Sequence, residues 1–218
     1  MRVAALYDVH GMPWALEAVL AEVDADAIVF GGDFVYGPYP RRTLERIRAL
    51  DAIVLRGNCE RDPVEWDVSQ LSEEQVAWAK SLPVAAVVDG VTYCHATPTD
   101  DMPITTAATP DEDVARTFEG HTGTIVIGHT HHQFDRRIGD LRIVNAGSIG
   151  MAYEGNVAAY WTLVEDGEPH PMCTPFDVEL AVREVQASGW PPGDEFVAEN
   201  LLHAVTGEEA IEDQERRR

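Results

Sequence analysis

Five short polar clusters along the chain contain residue types that bind metal ions. They are Asp8-Val9-His10, Gly32-Asp33, Gly57-Asn58, His95 and His129-Thr130-His131. Each is weak evidence alone, because Gly-Asp and Gly-Asn are ordinary turn dipeptides and a single histidine is usually structural. His-x-His is sharper, since alternate residues of an extended segment lie on one side and can reach a metal ion together. The clusters predict a metal site if the fold brings them to one place.

The donor types indicate which metals such a site would bind. Two carboxylates, four imidazoles and one amide oxygen are available, from Asp8, His10, Asp33, Asn58, His95, His129 and His131. This oxygen and nitrogen set suits Mn, Fe, Co, Ni or Zn better than Ca or structural Zn. Seven ligands are too many for one ion with an open position and about right for two ions that share a carboxylate. Two ions about 3.5–4 Å apart can activate water and neutralise a phosphoryl group during in-line displacement.

The clusters follow apolar segments that are typical of β-strands. The first three strands are predicted at Val3–Tyr7, Ala27–Phe30 and Ala52–Leu55, with helices over about 13–23 and 41–50 between them. This β-α-β-α-β order with fully apolar strands favours a parallel sheet covered on both faces. Functional residues gather beyond the carboxyl ends of such strands, so we expect the clusters to converge on one rim.

The second half of the chain changes to hairpins and then to helices. Ser72–Leu82 is predicted as a helix with a capping box formed by Ser72 and Gln75. Asp-Gly and Gly-Asp pairs predict hairpins, and the further strands are expected at 84–88, 91–94, 124–127, 134–138, 141–144 and 158–164. The pattern is helical from Asp177, and we expect the charged end from Glu208 to fray. No linker divides the sequence, which predicts a single domain over 1–218 with a core at about 1–165 and a helical extension at about 177–218.

Composition limits the classes of partner. The chain has 16 Lys and Arg against 38 Asp and Glu, a formal net charge of −22. Such a chain repels phosphate backbones, so we expect no long nucleic acid as a partner. No membrane span or signal segment is recognisable, and three widely spaced cysteines do not suggest a disulfide framework. We therefore expect a cytoplasmic protein that acts on a small substrate and does not bind membranes; a homo-oligomer is possible.

The five clusters resemble, in order and approximate spacing, the motifs of the calcineurin-like metallophosphoesterases. The family blocks are D-x-H, G-D, G-N-H-[D/E], a lone H and G-H-x-H, and the third stands here as Gly57-Asn58-Cys59-Glu60. The chain is also similar to the small prokaryotic subgroup of YfcE-like phosphodiesterases, which share G-D-x-x-x-x-G-P (Asp33 to Pro38) and N-x-G-S (Asn145 to Ser148). The resemblance covers about residues 1–165.

The resemblance implies a fold, a reaction and ligand roles. The fold would be an α/β, four-layer αββα sandwich of two mixed β-sheets flanked by helices. The reaction would be hydrolysis of phosphodiesters, possibly monoesters, by a metal-bridging hydroxide, with two divalent ions and Mn favoured. Asp8, His10 and His131 would hold the first ion, Asp33 would bridge, and Asn58, His95 and His129 would hold the second.

One departure from the family pattern concerns protonation of the leaving group. Cys59 stands where many relatives have a histidine general acid, as it does in the small prokaryotic subgroup. A thiol with a pKa near 8.5 is a poorer acid at pH 7 than an imidazolium, and Glu60 would disfavour its thiolate. Cys59 and Asn58 are the candidate catalytic residues, although Cys59 as a buried filler is an equally good interpretation.

Two further questions stay open in the sequence. Tyr36, Tyr39, Arg41 and Arg42 could line a substrate rim, with solvated surface as the favoured interpretation of the arginine pair. A binding or scaffold module on the same fold is the alternative to an enzyme. Because all seven candidate ligands are present, the sequence favours the enzyme.

Overall fold

The computed structural model describes residues 1–218, and its ten strands form two five-stranded sheets. The strands are β1 Arg2–Leu6, β2 Ala27–Phe30, β3 Ile53–Val54, β4 Ala85–Val88, β5 Val91–Cys94, β6 Gly123–Ile127, β7 Phe134–Ile138, β8 Leu141–Asn145, β9 Ala159–Glu165 and β10 Glu168–Thr174.

Nine α-helices and one π-helical turn complete the chain. The helices are α1 Pro13–Glu22, α2 Pro40–Arg48, α3 Asn58–Arg61, α4 Glu65–Gln70, α5 Glu73–Ser81, α6 Asp111–Thr117, α7 Val178–Ser188, α8 Gly193–Phe196 and α9 Gly207–Arg217, and the π-helical turn is Val197–Leu201. Proline occupies the first turn of α1 and α2, where its missing N–H would have had no partner. None of these helices combines the length and the apolar character that a membrane span requires.

Both sheets are mixed, with parallel strands at their centres. The first sheet has the order β10-β9-β1-β2-β3, in which β1, β2 and β3 are parallel, β9 is antiparallel to β1, and β10 is antiparallel to β9. The second has the order β4-β5-β6-β8-β7, in which β5, β6 and β8 are parallel and β4 and β7 are antiparallel edges. The carboxyl ends of the central strands therefore point to one end of each sheet.

Three buried apolar clusters define four layers. Alternate residues along β1 and the position after it face opposite sides of the sheet. Val3, Ala5 and Tyr7 pack with residues of β5 and β6 between the sheets, whereas Ala4 and Leu6 pack against helices on the outside. The third cluster joins the outer face of the second sheet to Val114 and Phe118 of the α6 region. The predicted αββα sandwich is therefore confirmed.

The structure confirms most predicted elements, including both hairpins and the capping box of Ser72 and Gln75. Strand β10 was not predicted, because Pro169 and Pro171 argue against a strand. The structure tolerates them because β10 is a sheet edge whose other side needs no hydrogen bonds.

The prediction of a frayed end from Glu208 is wrong. Thr206 caps α9 in a capping box with Glu209, and Glu215 accepts hydrogen bonds from Thr106 and Thr109. Apolar residues of the segments before α9, among them Phe196 of α8 and Leu201 of the π-helical turn, join the outer core. The division into a core at about 1–165 and an extension at about 177–218 stays a prediction.

Candidate metal centre

The seven candidate ligands lie beyond the carboxyl ends of five strands, at one rim of the sandwich. Asp8 and His10 follow β1, Asp33 follows β2, Asn58 follows β3, His95 follows β5, and His129 and His131 follow β6. The two sheets face each other, so ligands from both reach the same site. The convergence expected from the strand-end clusters is present.

One group of ligand atoms consists of Asp8, His10 and His131. The Nε2 atoms of His10 and His131 are 3.0 Å apart. Asp8 Oδ1 lies 3.4 Å from the His131 Nε2 atom and 3.8 Å from that of His10. All three residues are buried.

A second group consists of Asp33, His95 and His129, with Asn58 beside it. His95 Nε2 lies 3.1 Å from His129 Nδ1, 3.1 Å from Asn58 Oδ1 and 3.4 Å from Asp33 Oδ2. Asp33 also groups with His10 of the first set and with the thiol of Cys59. Asp33 therefore lies between the two groups.

The backbone at this rim is strained. Seven non-glycine residues have positive φ, and five of them are candidate ligands: Asp8, His10, Asp33, His129 and His131, with φ between 48° and 67°. The other two, Asp89 and Asp166, stand beside glycines in hairpin turns. Left-handed backbone costs L-residues energy and is concentrated at functional sites. Here it turns each side chain from the strand end into the rim.

Two glycines allow the ligand segments to approach closely. A Cβ atom on Gly57 would stand 2.2 Å from Asp33 Oδ1 and 2.9 Å from His95 Nδ1. A Cβ atom on Gly128 would stand 2.4 Å from Asp8 Oδ2. Any side chain at these positions would displace the ligands.

Glu60 ties two ligand segments together. Its buried carboxylate accepts hydrogen bonds from the backbone N–H groups of Asp33 (2.7 Å), Phe34 (2.9 Å), Val35 (3.1 Å) and Gly57 (2.9 Å). Burial, followed by the charge of Asp33, raises the pKa of Glu60 to about 7. Since this carboxylate is occupied by amides, it does not orient the side chain at position 59.

Asn145 and Ser148, which lie at and after the end of β8, support the ligand segments after β6 and β1. Asn145 Nδ2 donates to the Gly128 carbonyl (2.6 Å) and the Thr130 hydroxyl (2.8 Å), and Ser148 Oγ donates to the Asp8 carbonyl (2.8 Å). The N-x-G-S block of the sequence therefore positions ligands.

Ring hydrogen bonds orient two imidazoles toward the site. The Nδ1 atom of His95 lies 3.0 Å from the Gly31 carbonyl, and the Nε2 atom of His129 lies 3.2 Å from the Met102 carbonyl. Donation of an N–H to a carbonyl leaves the other ring nitrogen free to bind a metal ion.

The charge states reflect burial and mutual proximity. Burial would raise the pKa of Asp8 and Asp33, but the imidazoles of His131 and His95 respectively outweigh it and lower both. Burial opposes protonation of His95, yet Asp33 raises the pKa of His95 to about 10. Burial and a neighbouring imidazole lower the pKa of His10 and His129 to about 4. Two imidazoles are thus held neutral, the form that binds metal.

The residues present fit divalent metal ions. Asp8 Oδ1 is buried without a hydrogen-bond donor although it faces two imidazole nitrogens. A buried polar atom without a partner is costly, and a cation would satisfy it together with both nitrogens. The mixed donor set is that of a catalytic transition-metal site.

Cys59 stands at the edge of both groups. Its backbone N–H donates to Asp33 Oδ1 (2.8 Å), and its thiol donates to Asp33 Oδ2 (3.1 Å). Burial, then Asp33 and Glu60, raises the pKa of the Cys59 thiol well above its usual value. The thiol is therefore protonated. Its role in catalysis stays a prediction.

A cleft of about 380 Å³ opens onto the ligands. Its lining residues are His10, Asp33, Tyr36, Asn58, Cys59, Asp62, Val64, Asp67, His129, His131 and Met151. Tyr36 lines it as considered from the sequence, whereas Tyr39, Arg41 and Arg42 border a separate surface depression. Asp62, Val64, Asp67 and Met151 were missed, because nothing in their local sequence distinguishes them as residues of a site.

Comparison with known proteins identifies the domain type. The model of the calcineurin-like phosphoesterase superfamily domain matches residues 1–167. No curated protein matches the chain.

Solved structures share the fold. A metallophosphoesterase from Sphaerobacter thermophilus is 24% identical, with a TM-score of 0.79 over 94% of this chain and 100% of that chain. A hypothetical protein from Pyrococcus horikoshii OT3 is 16% identical, with a TM-score of 0.78 over 94% and 99%. The YfcE phosphoesterase from E. coli is 21% identical, with a TM-score of 0.50 over 80% and 100%. Coverage of 94% means that most of the segment after residue 167 also aligns in the first two.

Proposed function

The chain belongs to the calcineurin-like phosphoesterase superfamily, and from that premise we propose that it hydrolyses phosphodiesters with two divalent metal ions. The family supports a phosphoester hydrolase in general. The preference for diesters and for Mn, and the number of ions, are our proposals.

One observation carries the proposal: two groups of ligand atoms stand side by side with Asp33 between them. Asp8, His10 and His131 would hold one ion, and Asn58, His95 and His129 would hold the other. Asp33 would contact both, because its carboxylate groups with His10 as well as with His95. The unpartnered Asp8 Oδ1 supports occupancy by a cation.

Two bound cations would supply positive charge to the phosphoryl oxygens and lower the pKa of bound water. The protein's own residues hold the geometry: the Cys59 N–H fixes one oxygen of Asp33, and the Gly31 carbonyl fixes the ring of His95. Asn58 directs its oxygen to His95 and its Nδ2 toward Cys59 Sγ (3.5 Å). That amide N–H and the thiol S–H, which here donate to Cys59 Sγ and Asp33 Oδ2, are the donors that these two side chains would offer to a substrate oxygen.

The charge of the cleft supports a diester over a monoester. No Lys or Arg lines it, so all positive charge at the phosphoryl group must come from the metal ions. A diester carries one negative charge and a monoester up to two near neutrality. The net charge of −22 supports a small phosphoester rather than a long nucleic acid.

The test is hydrolysis of bis-p-nitrophenyl phosphate by protein loaded with Mn²⁺. We expect turnover that is lost on chelation and returns when Mn²⁺ is restored. Asp33→Asn removes the charge both ions would share, so it should lose at least one ion and nearly all turnover. Asp140→Asn, in an exposed hairpin turn, makes the same change in net charge and should be fully active.

Metal-replete protein that is inert on every phosphoester tried would contradict the proposal and favour the binding or scaffold module. A fully metallated and active Asp33→Asn protein would show that Asp33 does not bridge two ions.

A further inference from the structure

The wall of the cleft beside the candidate ligands is acidic. Asp62 and Asp67 are its charged residues, and no basic side chain lines it. Asp62 is exposed and pairs with Arg61 at 2.7 Å, so its charge is partly neutralised. A site for an anionic phosphoester gains nothing from carboxylates at this place, which calls for another explanation.

Asp67 is the more informative of the two. It is fully buried and lines the cleft, and its carboxyl group interacts with two backbone amides, those of Val64 (3.3 Å to Oδ2) and Gly37. Its Oδ1 has no hydrogen-bond partner. A buried carboxylate is expensive unless a positive charge or a donor compensates it, and the protein provides neither a Lys nor an Arg beside it.

The rest of this wall is aromatic and apolar. Tyr36, Val64 and Met151 complete it. The Tyr36 ring is held in place by edge contacts with Trp190 (5.5 Å between centroids) and His10 (5.7 Å). An aromatic ring, a thioether and nearby carboxylates form an environment that attracts alkylammonium groups.

We propose that the substrate is a phosphodiester whose second alcohol carries a cationic amine, of the quaternary or primary ammonium class. This inference rests on the proposed function, because the phosphoryl group must lie at the candidate metal centre. The ammonium group then lies toward Tyr36 and the carboxylates of Asp62 and Asp67. Such a substrate carries one positive and one negative group and therefore has no net charge. The acidic chain does not repel it.

Two diesters of equal shape and leaving group test the proposal: p-nitrophenyl phosphorylcholine and its neutral isostere, p-nitrophenyl 3,3-dimethylbutyl phosphate. With Mn²⁺-loaded protein we expect kcat/KM for the choline ester to exceed that for the isostere by about 3- to 30-fold, the range of a cation on an aromatic and acidic surface. The ratio should fall toward one in Asp67→Asn. It should be unchanged in Asp140→Asn, which removes an equal charge far from the cleft.

Asp62→Asn provides a second variant, since its exposed side chain can be changed without disturbing the core. It should lower the ratio less than Asp67→Asn, because Arg61 already screens it. A choline ester that reacts no faster than the isostere overturns the inference, and so does a preference that neither variant changes.

A binding measurement separates failure of the inference from failure of the proposed function. Calorimetry with phosphorylcholine and with 3,3-dimethylbutyl phosphate needs no turnover. Protein inert on both esters that still binds phosphorylcholine more tightly contradicts hydrolysis and supports the ammonium site. Protein that hydrolyses both esters equally and binds both ligands equally supports hydrolysis and overturns the ammonium site.

Discussion

At the residue scale, the chemistry that we propose depends on buried side chains that have no hydrogen-bond partner for one of their oxygen atoms. Asp8 Oδ1 and Asp67 Oδ1 are both buried without donors. The first faces two imidazoles, and the second belongs to a residue that lines the same cleft. Because burial makes an uncompensated carboxylate costly, the Asp8 carboxylate marks a place where a cation is expected, and the Asp67 carboxyl group takes up either a proton or a bound cation.

Cys59→His tests whether position 59 limits protonation of the leaving group. An imidazole with a pKa nearer neutrality should increase the rate of hydrolysis of esters with alkyl or nucleoside leaving groups. General acids contribute about 10²–10⁴-fold, and we expect only part of this gain. Nitrophenol departs unaided, so its rate should hardly change. Glu60 is bound to four backbone amides and will not orient the new ring, which limits the gain. Rates over a leaving-group series, with metal content measured for both proteins, make the comparison.

Equal dependence on the leaving group at equal metal occupancy would refute the acid role of position 59. Reduced metal occupancy in Cys59→His would instead indicate that Cys59 fills space beside Asn58 and Asp33.

Asp67 should make the stability of the metal-free protein depend on pH. Burial raises the pKa of Asp67 from 3.8 to about 7, so the folded state keeps a proton that the unfolded state loses near pH 4. The stabilisation is complete below about pH 4 and is lost as pH rises through about 7. Relative to Asp67→Asn, the free energy of unfolding of the wild type should fall by about 1–3 kcal/mol between pH 5 and pH 8.

Urea unfolding of both proteins at pH 5, 6, 7 and 8 measures this difference. A difference between wild type and Asp67→Asn that is constant with pH would contradict the account of the buried carboxyl group.

At the element scale, α9 supports a ligand segment from behind. Gln214 Nε2 donates to the Thr130 carbonyl (3.0 Å), between the two histidines after β6. Tyr153 packs on the His131 ring at 5.1 Å, and its N–H donates to the His131 carbonyl (3.0 Å). The helix lies beyond residue 167, where the family match ends.

Gln214→Ala should therefore weaken metal binding by about 10-fold, the lower end of the range for residues that support metal ligands. Glu212→Ala, on the exposed face of the same helix, should bind metal as the wild type does. Competition for Mn²⁺ with a chelator of known affinity gives the comparison. Equal metal affinity of all three proteins would show that α9 only covers the fold.

The elements that sequence reasoning could predict are those governed by local pattern. Strand ends such as Gly32-Asp33 and the hairpin at Asp89-Gly90 follow from apolar runs and turn residues. Strand β10 and the docking of α9 depend on contacts between distant segments, such as Glu215 with Thr106. The same holds within the site: the ligands stand in recognisable clusters, whereas Asp67 reaches the cleft only through packing of α4.

At the scale of the whole molecule, two sheets from separate halves of the chain meet at one rim. Ligands after β1, β2 and β3 come from one sheet, and those after β5 and β6 come from the other. The dinuclear centre that we propose therefore requires the complete sandwich. Neither half of the chain holds both ligand groups.

Electron paramagnetic resonance of the Mn²⁺-loaded protein tests the central claim most directly. Two ions that share Asp33 at about 3.5–4 Å are magnetically coupled, so we predict the spectrum of an exchange-coupled pair at two Mn²⁺ per chain. Asp33→Asn should convert this spectrum to that of isolated ions. An uncoupled spectrum from wild-type protein saturated with Mn²⁺ would contradict the account.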